Sequence, residues 1–251
     1  MPEFDIPRME VAIADMLPSQ ESVVDDDGWL FRFNTGKSRN TNSVWPLTAA
    51  PESLESRIES CERVYAERDL PCNFRLTDLD EDQVIESFLL GRGYRADISM
   101  IVMVRPITEV TEVELPEIDL DGWLDTVQRL DDHVDPGDRD AKYAALSELP
   151  LPTWYTTIVR DGRVCSYGRT IQVDDLYQLA ELFTVPDLRG QGLGTQLIHG
   201  LMKIGKEAGA QTAFMQGVTD VNTGARRLYE RLGFQERYRF RYMTKGDLKF
   251  V

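Results

Sequence analysis

The 251-residue sequence has few cysteines, only two histidines and no long apolar run. Its three cysteines are odd in number, and no two stand at the spacing of metal ligands, which argues against a disulfide framework and indicates a reducing cytoplasm. No apolar run approaches the ~20 residues that span a bilayer. The first residues show neither the basic nor the apolar region of a secretory signal. We therefore expect a cytoplasmic protein without a membrane partner.

Basic side chains are also scarce: 28 Lys and Arg stand against 43 Asp and Glu, for a net charge of −15. The deficit lies in the front half, where residues 1–117 carry 24 acidic and 11 basic side chains, whereas residues 118–251 carry 19 and 17. Nucleic-acid phosphates require a basic surface, so we expect no nucleic-acid partner. The acidic charge is compatible with a cationic ligand drawn in by long-range attraction, and equally with solubility alone.

The length allows one large domain or two small ones. Residues 108–117 are rich in Glu and Thr and contain a proline, so we interpret them as a linker between an N-terminal domain, residues 1–107, and a C-terminal domain, residues 118–251. The C-terminal domain is predicted to open with two amphipathic helices, followed by three strands, a helix, a strand, a helix and a strand. This order predicts an α/β (α+β) fold with a mixed central sheet flanked by helices.

A glycine-rich turn, Arg189-Gly190-Gln191-Gly192-Leu193-Gly194, lies between a predicted strand and a predicted helix. Glycines let the backbone approach a ligand closely, and the unpaired N–H groups of a helix N-terminus form an anion site suited to a pyrophosphate. The turn has no Lys before Thr195, as a P-loop requires, and it lacks the G-x-G-x-x-G spacing of a dinucleotide fold. Taken alone, it is also compatible with a flexible turn.

Two segments resemble signatures of the GNAT acetyltransferases. Arg189-x-x-Gly192-x-Gly194 is similar to the R/Q-x-x-G-x-G/A acetyl-CoA signature, and residues 222–234 are similar to the second motif, N-x-x-A-x-x-L-Y-x-x-x-G-F. Both occur in the expected order and context, and the resemblance covers residues 150–245 well and 118–150 loosely. It implies the acyl-CoA N-acyltransferase fold, with a mostly antiparallel sheet, and acetyl-CoA as co-substrate.

The resemblance also implies roles for individual residues. The pantetheine arm would pair with the backbone of Phe183, Thr184 and Val185, as an added strand does. The pyrophosphate would be held by the backbone of Arg189, Gly190, Gln191, Gly192, Leu193, Gly194 and Thr195. Asn222 and Ala225 of the second motif belong to the same cofactor site. Tyr229 would lie near the sulfur and act as general acid.

The chemistry also needs a group that removes a proton from the attacking amine. Glu181, on the predicted strand before the glycine turn, is our candidate, since related enzymes often carry a carboxylate there. A half-exposed strand glutamate is an equally good interpretation, and Asp220 is a weaker candidate. Tyr229 has an alternative too, as a packed aromatic on an amphipathic helix.

We predict no metal site. His133 stands in a run of acids in a predicted loop, and His199 is interpreted as packed or facing solvent. Arginines crowd the C-terminal end as a predicted solvated face, in which one or two neutralise the 3′-phosphate of the cofactor. They are Arg226, Arg227, Arg231, Arg237, Arg239 and Arg241.

The front half contains one related pattern. Residues 84–94 resemble the end of the second motif, with Leu90 at the place of the catalytic tyrosine and Gly93-Tyr94 at the place of Gly233-Phe234. This favours a degenerate copy of the same fold in residues 1–107, as in tandem members of the family.

The sequence therefore predicts an N-acetyltransferase that moves the acetyl group of acetyl-CoA to a primary amine by direct attack in a ternary complex. The acidic front half favours a small cationic amine over a protein tail. The rival interpretation is a non-catalytic acyl-CoA sensor or scaffold, against which the presence of both Tyr229 and Asn222 argues. The choice between monomer and homodimer stays open.

Overall fold

The computed structural model describes residues 5–34, 38–49, 52–130 and 139–245. The chain forms two compact units, Met1–Val102 with Arg237–Val251 and Met103–Glu236. The boundaries predicted from sequence, 1–107 and 118–251, assign the last strand to the C-terminal domain, whereas compactness groups most of it with the first unit. No local pattern reveals that grouping, because it depends on pairing between strands far apart in the chain.

The first unit contains helices on a sheet in the order β1-β2-β3-β4-β12, with β5 paired to β12. The described helices are α1 (Ile6–Met16), α2 (Leu54–Ala66) and α3 (Asp80–Gly91), and the strands are β1 (Glu21–Val24), β2 (Trp29–Phe33), β3 (Ser43–Pro46), β4 (Phe74–Thr77), β5 (Arg95–Ala96) and β12 (Gln235–Thr244). β12 runs antiparallel to β4, with Phe240 opposite Thr77. The core is aromatic and includes Trp29, Tyr65 and Phe74, all fully buried.

Helix α1 was not expected from the sequence, although its start carries two helix signals. The carboxylate of Asp5 accepts a hydrogen bond from the backbone N–H of Arg8 at 2.9 Å, and Pro7 lies in the first turn. The helix buries Met9, Ile13 and Met16. It also brings Glu10 into the interior, where a charged side chain needs a partner.

That partner is Arg75 of β4, and both side chains are nearly inaccessible to solvent. The guanidinium donates from Nε to Oε2 of Glu10 at 2.5 Å and from Nη2 to Oε1 at 2.8 Å. The Tyr238 hydroxyl donates to the same carboxylate at 2.5 Å. The guanidinium carbon lies 4.3 Å from the ring centroid of Trp45 and 3.5 Å from that of Phe240. The pair is thus both hydrogen-bonded and stacked between aromatic rings.

The second unit has the predicted element order from its first helix to its last, with two strands before the helices and without the last predicted strand, most of which belongs to the first unit. Its described elements are β6 (Met100–Pro106), β7 (Glu117–Ile118), α4 (Leu120–Leu130), α5 (Arg139–Ser147), β8 (Thr153–Arg160), β9 (Arg163–Val173), β10 (Leu176–Thr184), α6 (Leu193–Glu207), β11 (Thr212–Val218) and α7 (Thr223–Arg231). The sheet order is β6-β11-β10-β9-β8-β7. β7 to β10 pair antiparallel and β10 with β11 parallel. The predicted fold class, a mixed and mostly antiparallel sheet flanked by helices, is confirmed.

Helix α6 packs closely because it carries small residues where it meets its neighbours. A Cβ on Gly205 would come within 2.8 Å of the Tyr177 ring on β10, and a Cβ on Gly200 within 2.3 Å of Leu115. Leu193, Leu197 and Leu201 bury the rest of that face. The helix start is thereby fixed beside the end of β10. Among the described residues, no helix is long and apolar enough to cross a membrane.

Candidate active site

The parallel strands β10 and β11 separate partway along their length. Their pairing runs from Leu176 opposite Thr212 to Gln178 opposite Phe214. Beyond this point, the register of β10 against β9 shifts between Ala180 and Phe183, and Glu181 adopts a left-handed φ of 51°. Such a bulge bends its strand and re-aims nearby side chains. A cleft opens between the carboxyl ends of the two strands.

The glycine turn closes one side of this cleft and leads into α6. Gly190 and Gly192 have φ values of 78° and 81°, a region that side chains with a Cβ rarely adopt. A Cβ built at either position meets nothing within 4 Å, so the space beside this backbone is open. Gly192 is the N-cap of α6 and offers no side-chain hydrogen bond. The first N–H groups of the helix therefore remain available to an anion.

Gly194 serves a different purpose from the two glycines before it. A Cβ there would lie 3.0 Å from Cδ2 of Leu228 on α7. Its missing side chain thus lets α6 and α7 approach each other at the cleft. The sequence motif does not distinguish the three glycines. In the structure, Gly194 allows two helices to pack closely, whereas Gly190 and Gly192 allow a left-handed backbone conformation.

The cleft between these elements has a volume of about 630 Å³, within the usual range of small-molecule sites. Its lining comes from β10, the glycine turn and α7, and includes Phe183, Thr184, Leu193, Thr195, Ala225 and Leu228. The only charged side chains among its described lining residues are Arg189 and Arg231. A cleft without a carboxylate, in a protein of net charge −15, suits an anionic ligand. The phosphates and apolar arm of CoA fit that chemistry.

Helix α7 supplies the residues of the second motif. Asn222 caps the helix, because its Oδ1 atom accepts a hydrogen bond from the N–H of Ala225 at 3.2 Å. Asn222 also lines the cleft. Two turns after Asn222, Tyr229 is half-buried, and its ring lies edge-on to that of Phe234 with 6.4 Å between the centroids. Burial raises the pKa of the Tyr229 phenol above its ordinary value. The hydroxyl therefore keeps its proton throughout the neutral range, as a general acid must.

A smaller cavity of about 190 Å³ adjoins the point where β10 and β11 separate. It is lined by Gln178, Glu181, Gly217, Asn222 and Tyr229, among others. Tyr229 and Asn222 line both cavities, so the phenol stands where the two meet. This is the place at which a ligand in the large cleft and a second reactant in the small cavity would come together.

Gln178 is a candidate site residue that the sequence did not indicate. Its side chain is 4% exposed, and its Oε1 atom has no hydrogen-bond partner among the described residues. A buried acceptor without a donor is costly, so an N–H group of a ligand in the small cavity would stabilise it. A lone glutamine inside a strand carries no sequence signal of this role.

Glu181 occupies the bulge and makes two ion pairs. Its Oε2 lies 2.7 Å from Nζ of Lys142 on α5, and its Oε1 lies 3.0 Å from Nη2 of Arg169 on β9. Burial alone would raise the pKa of Glu181, but the charges of Arg169 and Lys142 outweigh it, and the pKa lies below its ordinary value. The Lys142 ammonium also lies 5.2 Å from the ring centroid of Trp123. Glu181 is therefore a charged carboxylate whose cationic partner sits beside an aromatic wall.

Some predicted site residues lie elsewhere or are already engaged. The N–H of Val185 donates to the Cys165 carbonyl at 3.0 Å, so it is not free to pair with a ligand strand. Gln191 and Val185 are not among the described lining of either cavity. Asp220, the weaker candidate base, forms an ion pair with Arg226. His133 lies outside the described residues.

The arginines near the C-terminal end also differ in their surroundings. Arg226 pairs with Glu230 and Glu236 at 2.9 and 3.1 Å, as a solvated face would. Arg231 is the arginine of this group that lines the large cleft. His199 is partly buried, and burial, with the charge of Arg105, lowers its pKa.

The first unit repeats the end of the second motif without its tyrosine. The Phe234 N–H donates to the Tyr229 carbonyl at 3.0 Å, and the Tyr94 N–H donates in the same way to the Leu89 carbonyl at 3.1 Å. Gly233 and Gly93, which precede them, have φ values of 84° and 86°. Leu89, not Leu90 as the sequence suggested, therefore holds the place of Tyr229, and it is fully buried.

Models of known protein families match both halves of the chain. The sequence model described as Acetyltransferase (GNAT) family matches residues 117–234. A second model, described as Probable histone acetyltransferase Rv0428c C-terminal, matches residues 4–170, more than half of the chain. The Uncharacterized N-acetyltransferase YobR of Bacillus subtilis (strain 168) is 25% identical, over 96% of this chain and 99% of its own.

Solved structures show the same fold. A GCN5-related N-acetyltransferase from Kribbella flavida superposes with a TM-score of 0.73 at 15% identity, over 98% of this chain and 97% of its own. A tandem GNAT protein from the clavulanic acid biosynthesis pathway superposes with a TM-score of 0.68 at 12% identity, over 97% and 89%. The chain belongs to the GNAT family of N-acetyltransferases. The predicted family and the predicted class of enzyme, an acyltransferase, are confirmed.

Proposed function

We propose that this protein transfers the acetyl group of acetyl-CoA to a primary amine, by direct attack while both reactants are bound. The observation that carries the proposal is the position of Tyr229 on the border of two cavities, one of them free of carboxylates and closed by the glycine turn. We propose that the C-terminal domain predicted from the sequence is the catalytic domain. A cytoplasmic location remains a prediction.

The large cleft is proposed to hold CoA. Thr184, at the end of β10, would pair with the pantetheine arm. The neighbouring Val185 directs its own N–H toward β9, and successive N–H groups of a strand point to opposite sides, so the N–H of Thr184 faces away from β9. The backbone from Arg189 to Thr195 would surround the pyrophosphate, with Arg231 near the other phosphates. Arg189 already donates to the Thr184 carbonyl at 3.0 Å and ties the turn to the strand.

The small cavity is proposed to hold the acceptor amine. Gln178 would accept a hydrogen bond from an N–H group, and Glu181 would take a proton from the amine, directly or through water. Tyr229 would donate its proton to the departing thiolate. Glu181 is already paired with Lys142, so a substrate that reaches it has to replace the lysine ammonium. We therefore propose that the acceptor is a small cationic amine, whose own positive charge can take that place.

Binding of acetyl-CoA tests the cleft directly. A ligand present at 100 times its dissociation constant stabilises the native state by about 2.7 kcal/mol, and each kcal/mol raises Tm by roughly 2–4 °C in a protein of this size. We expect this shift in the wild type and its loss in Gly192→Val, which places a side chain in the cleft. Calorimetric titration gives the affinities.

The matched control is Gly209→Val, at the other end of α6. Gly209 has a φ of 82° and open space around its Cβ position, like Gly192, but it does not line the cleft. Both variants carry the same backbone strain, so only the loss of binding should distinguish them. Equal acetyl-CoA affinity in both variants would contradict the assignment of the glycine turn.

The role of Glu181 is tested by the pH dependence of the reaction. In Lys142→Met one of the two positive charges that lower the pKa of Glu181 is gone, so that pKa rises. If Glu181 is the base, the acidic limb of kcat/KM moves to higher pH in this variant, because the carboxylate protonates earlier as pH falls. Thiol release from acetyl-CoA with a panel of primary amines provides the assay.

Two controls accompany this experiment. Lys206→Met removes an exposed lysine of α6 and should leave the profile unchanged. Glu181→Gln should remove the acidic limb. A limb that stays in place in Lys142→Met and survives in Glu181→Gln would show that another group removes the proton.

A further inference from the structure

The first unit contains a cavity at the position that corresponds to the cleft of the second. Its strands β3 and β4 are also parallel, joined at Val44 opposite Phe74. A cavity of about 500 Å³ lies at their carboxyl ends, beside the start of α3. It is a chamber of the size that small ligands occupy.

The charge of this cavity is opposite to that of the CoA cleft. Four carboxylates are among its described lining residues, Asp5, Glu10, Glu81 and Asp82, and no Lys or Arg is. The rest of the lining is largely apolar and includes Ile6, Pro7, Pro46, Leu47 and Leu79. The phosphates of CoA would be repelled here. The cavities at the ends of the parallel strands therefore suit ligands of opposite charge in the two units.

The buried carboxylates differ in what already satisfies them. Glu10 is engaged by Arg75 and Tyr238. Asp82 is 5% exposed and uses one oxygen, Oδ2, to accept both the N–H and the hydroxyl of Thr77 at 2.6 Å. Its Oδ1 accepts no hydrogen bond from any described residue, although the side chain lines the cavity. This oxygen remains accessible from the cavity, where a hydrogen-bond donor of a ligand can reach it.

The pKa of Asp82 is consistent with this geometry. Burial raises its pKa to about 6 against the two hydrogen bonds from Thr77, and the charges of Glu10 and Glu81 add to the rise. A positive group in the cavity would compensate both the burial and the neighbouring charges. A ligand of that sign would therefore lower the pKa of Asp82 toward its ordinary value.

The lining distinguishes between kinds of cation. Within the described part of the chain, no group of three or more His, Cys, Asp or Glu is arranged to hold a metal ion. An organic amine can instead place an ammonium at Asp82 and lay its methylene groups against the apolar wall. The exposed carboxylates Asp5 and Glu81 at the rim suit a second positive group.

We propose that the cavity of the first unit is a binding site for a small organic polycation, with one ammonium donating to Oδ1 of Asp82 and another between Asp5 and Glu81. The site is independent of the acetyl-transfer site, since every residue named belongs to the first unit.

Spermidine is the probe for this site, titrated by calorimetry at low salt, with triethylene glycol as a neutral ligand of similar length. We expect the wild type to bind spermidine and not the glycol. Asp82→Asn keeps an oxygen for the Thr77 hydrogen bonds but removes the charge, and should weaken spermidine binding roughly ten- to hundredfold, as the loss of a hydrogen bond to a charged group does. Acetyl-CoA affinity should not change in this variant.

Two further variants make the result decisive. Asp78→Asn removes the same charge at an exposed position that does not line the cavity, and should bind spermidine like the wild type. Glu81→Gln, on an exposed side chain, supports the assignment if it weakens binding without any effect on folding. The proposal is overturned if the wild type does not bind, if Asp78→Asn weakens binding as much as Asp82→Asn, or if Glu181→Gln abolishes binding while Asp82→Asn does not.

Discussion

Tyr229→Phe is expected to lower kcat by about 10²–10⁴-fold, the contribution typical of a positioned general acid. The phenol lies where the two cavities of the second unit meet, and burial keeps its pKa above the ordinary value, so that it holds a proton to donate. Phenylalanine retains the ring and its edge contact with Phe234. Acetyl-CoA affinity should therefore stay close to that of the wild type, and the loss should appear in kcat and not in binding.

Tyr143→Phe is the control for this experiment, because Tyr143 is 40% exposed on α5 and lines neither cavity. It should retain full activity. Steady-state kinetics with acetyl-CoA and the best acceptor of the amine panel give kcat, and calorimetry gives the affinity. Full activity in Tyr229→Phe would mean that another group, or water, protonates the thiolate.

Arg75→Met is expected to destabilise the first unit by about 3–5 kcal/mol, since it leaves Glu10 buried without its counter-charge. Methionine is shorter than arginine, but it is unbranched and apolar, so it fills part of the space between Trp45 and Phe240 without adding a charge. If the protein unfolds in one transition, Tm falls by roughly 6–20 °C. Thermal and urea unfolding followed by circular dichroism measure the effect.

The double variant Glu10→Gln/Arg75→Met separates charge from packing. The glutamine oxygen can still accept a hydrogen bond from the Tyr238 hydroxyl, and neither position of the pair is then charged, so the double variant should be more stable than Arg75→Met alone. Arg163→Met breaks an exposed pair with Asp187 and should change stability by less than about 1 kcal/mol. Equal stability of Arg75→Met and Arg163→Met would show that the buried pair contributes little.

The parts of the active site that the sequence predicted are those coded locally. The glycine turn is visible because the left-handed φ of Gly190 and Gly192 requires glycine, and helix α6 because its apolar stripe repeats every three or four residues. Tyr229 was found through the resemblance to a known motif, and its place between two cavities is consistent with the role inferred. In each case the information lies within about a dozen residues.

The parts that were missed depend on contacts between distant segments. The ion pair between Glu181 and Lys142 joins α5 to the bulge of β10. The sequence identifies Glu181 as a candidate base, but it does not show that the carboxylate already has a cationic partner. Gln178 matters only because the strands separate beside it and leave its oxygen unpartnered. Hydrophobic periodicity reports which face of an element is buried, but not which polar atoms a neighbour leaves unsatisfied.

The assignment of strands to units shows the same limit. The sequence predicts that the C-terminal domain ends in a strand, and the structure confirms this strand as β12. Its partner β4 lies far earlier in the chain, with Tyr242 opposite Arg75. A strand pattern fixes the alternation of its side chains but leaves its partner undetermined.

The pairing of β12 with β4 has a consequence for how the protein is made. On the ribosome β4 emerges long before β12, and at about 5–20 residues per second the interval is roughly ten seconds or more. During that time one side of β4 is an open edge, the kind of surface that promotes association between nascent chains. The contacts that complete the first unit span most of the chain, and such high contact order slows folding. The second unit, whose residues are continuous in sequence, can finish first, so the order of folding is expected to reverse the order of synthesis.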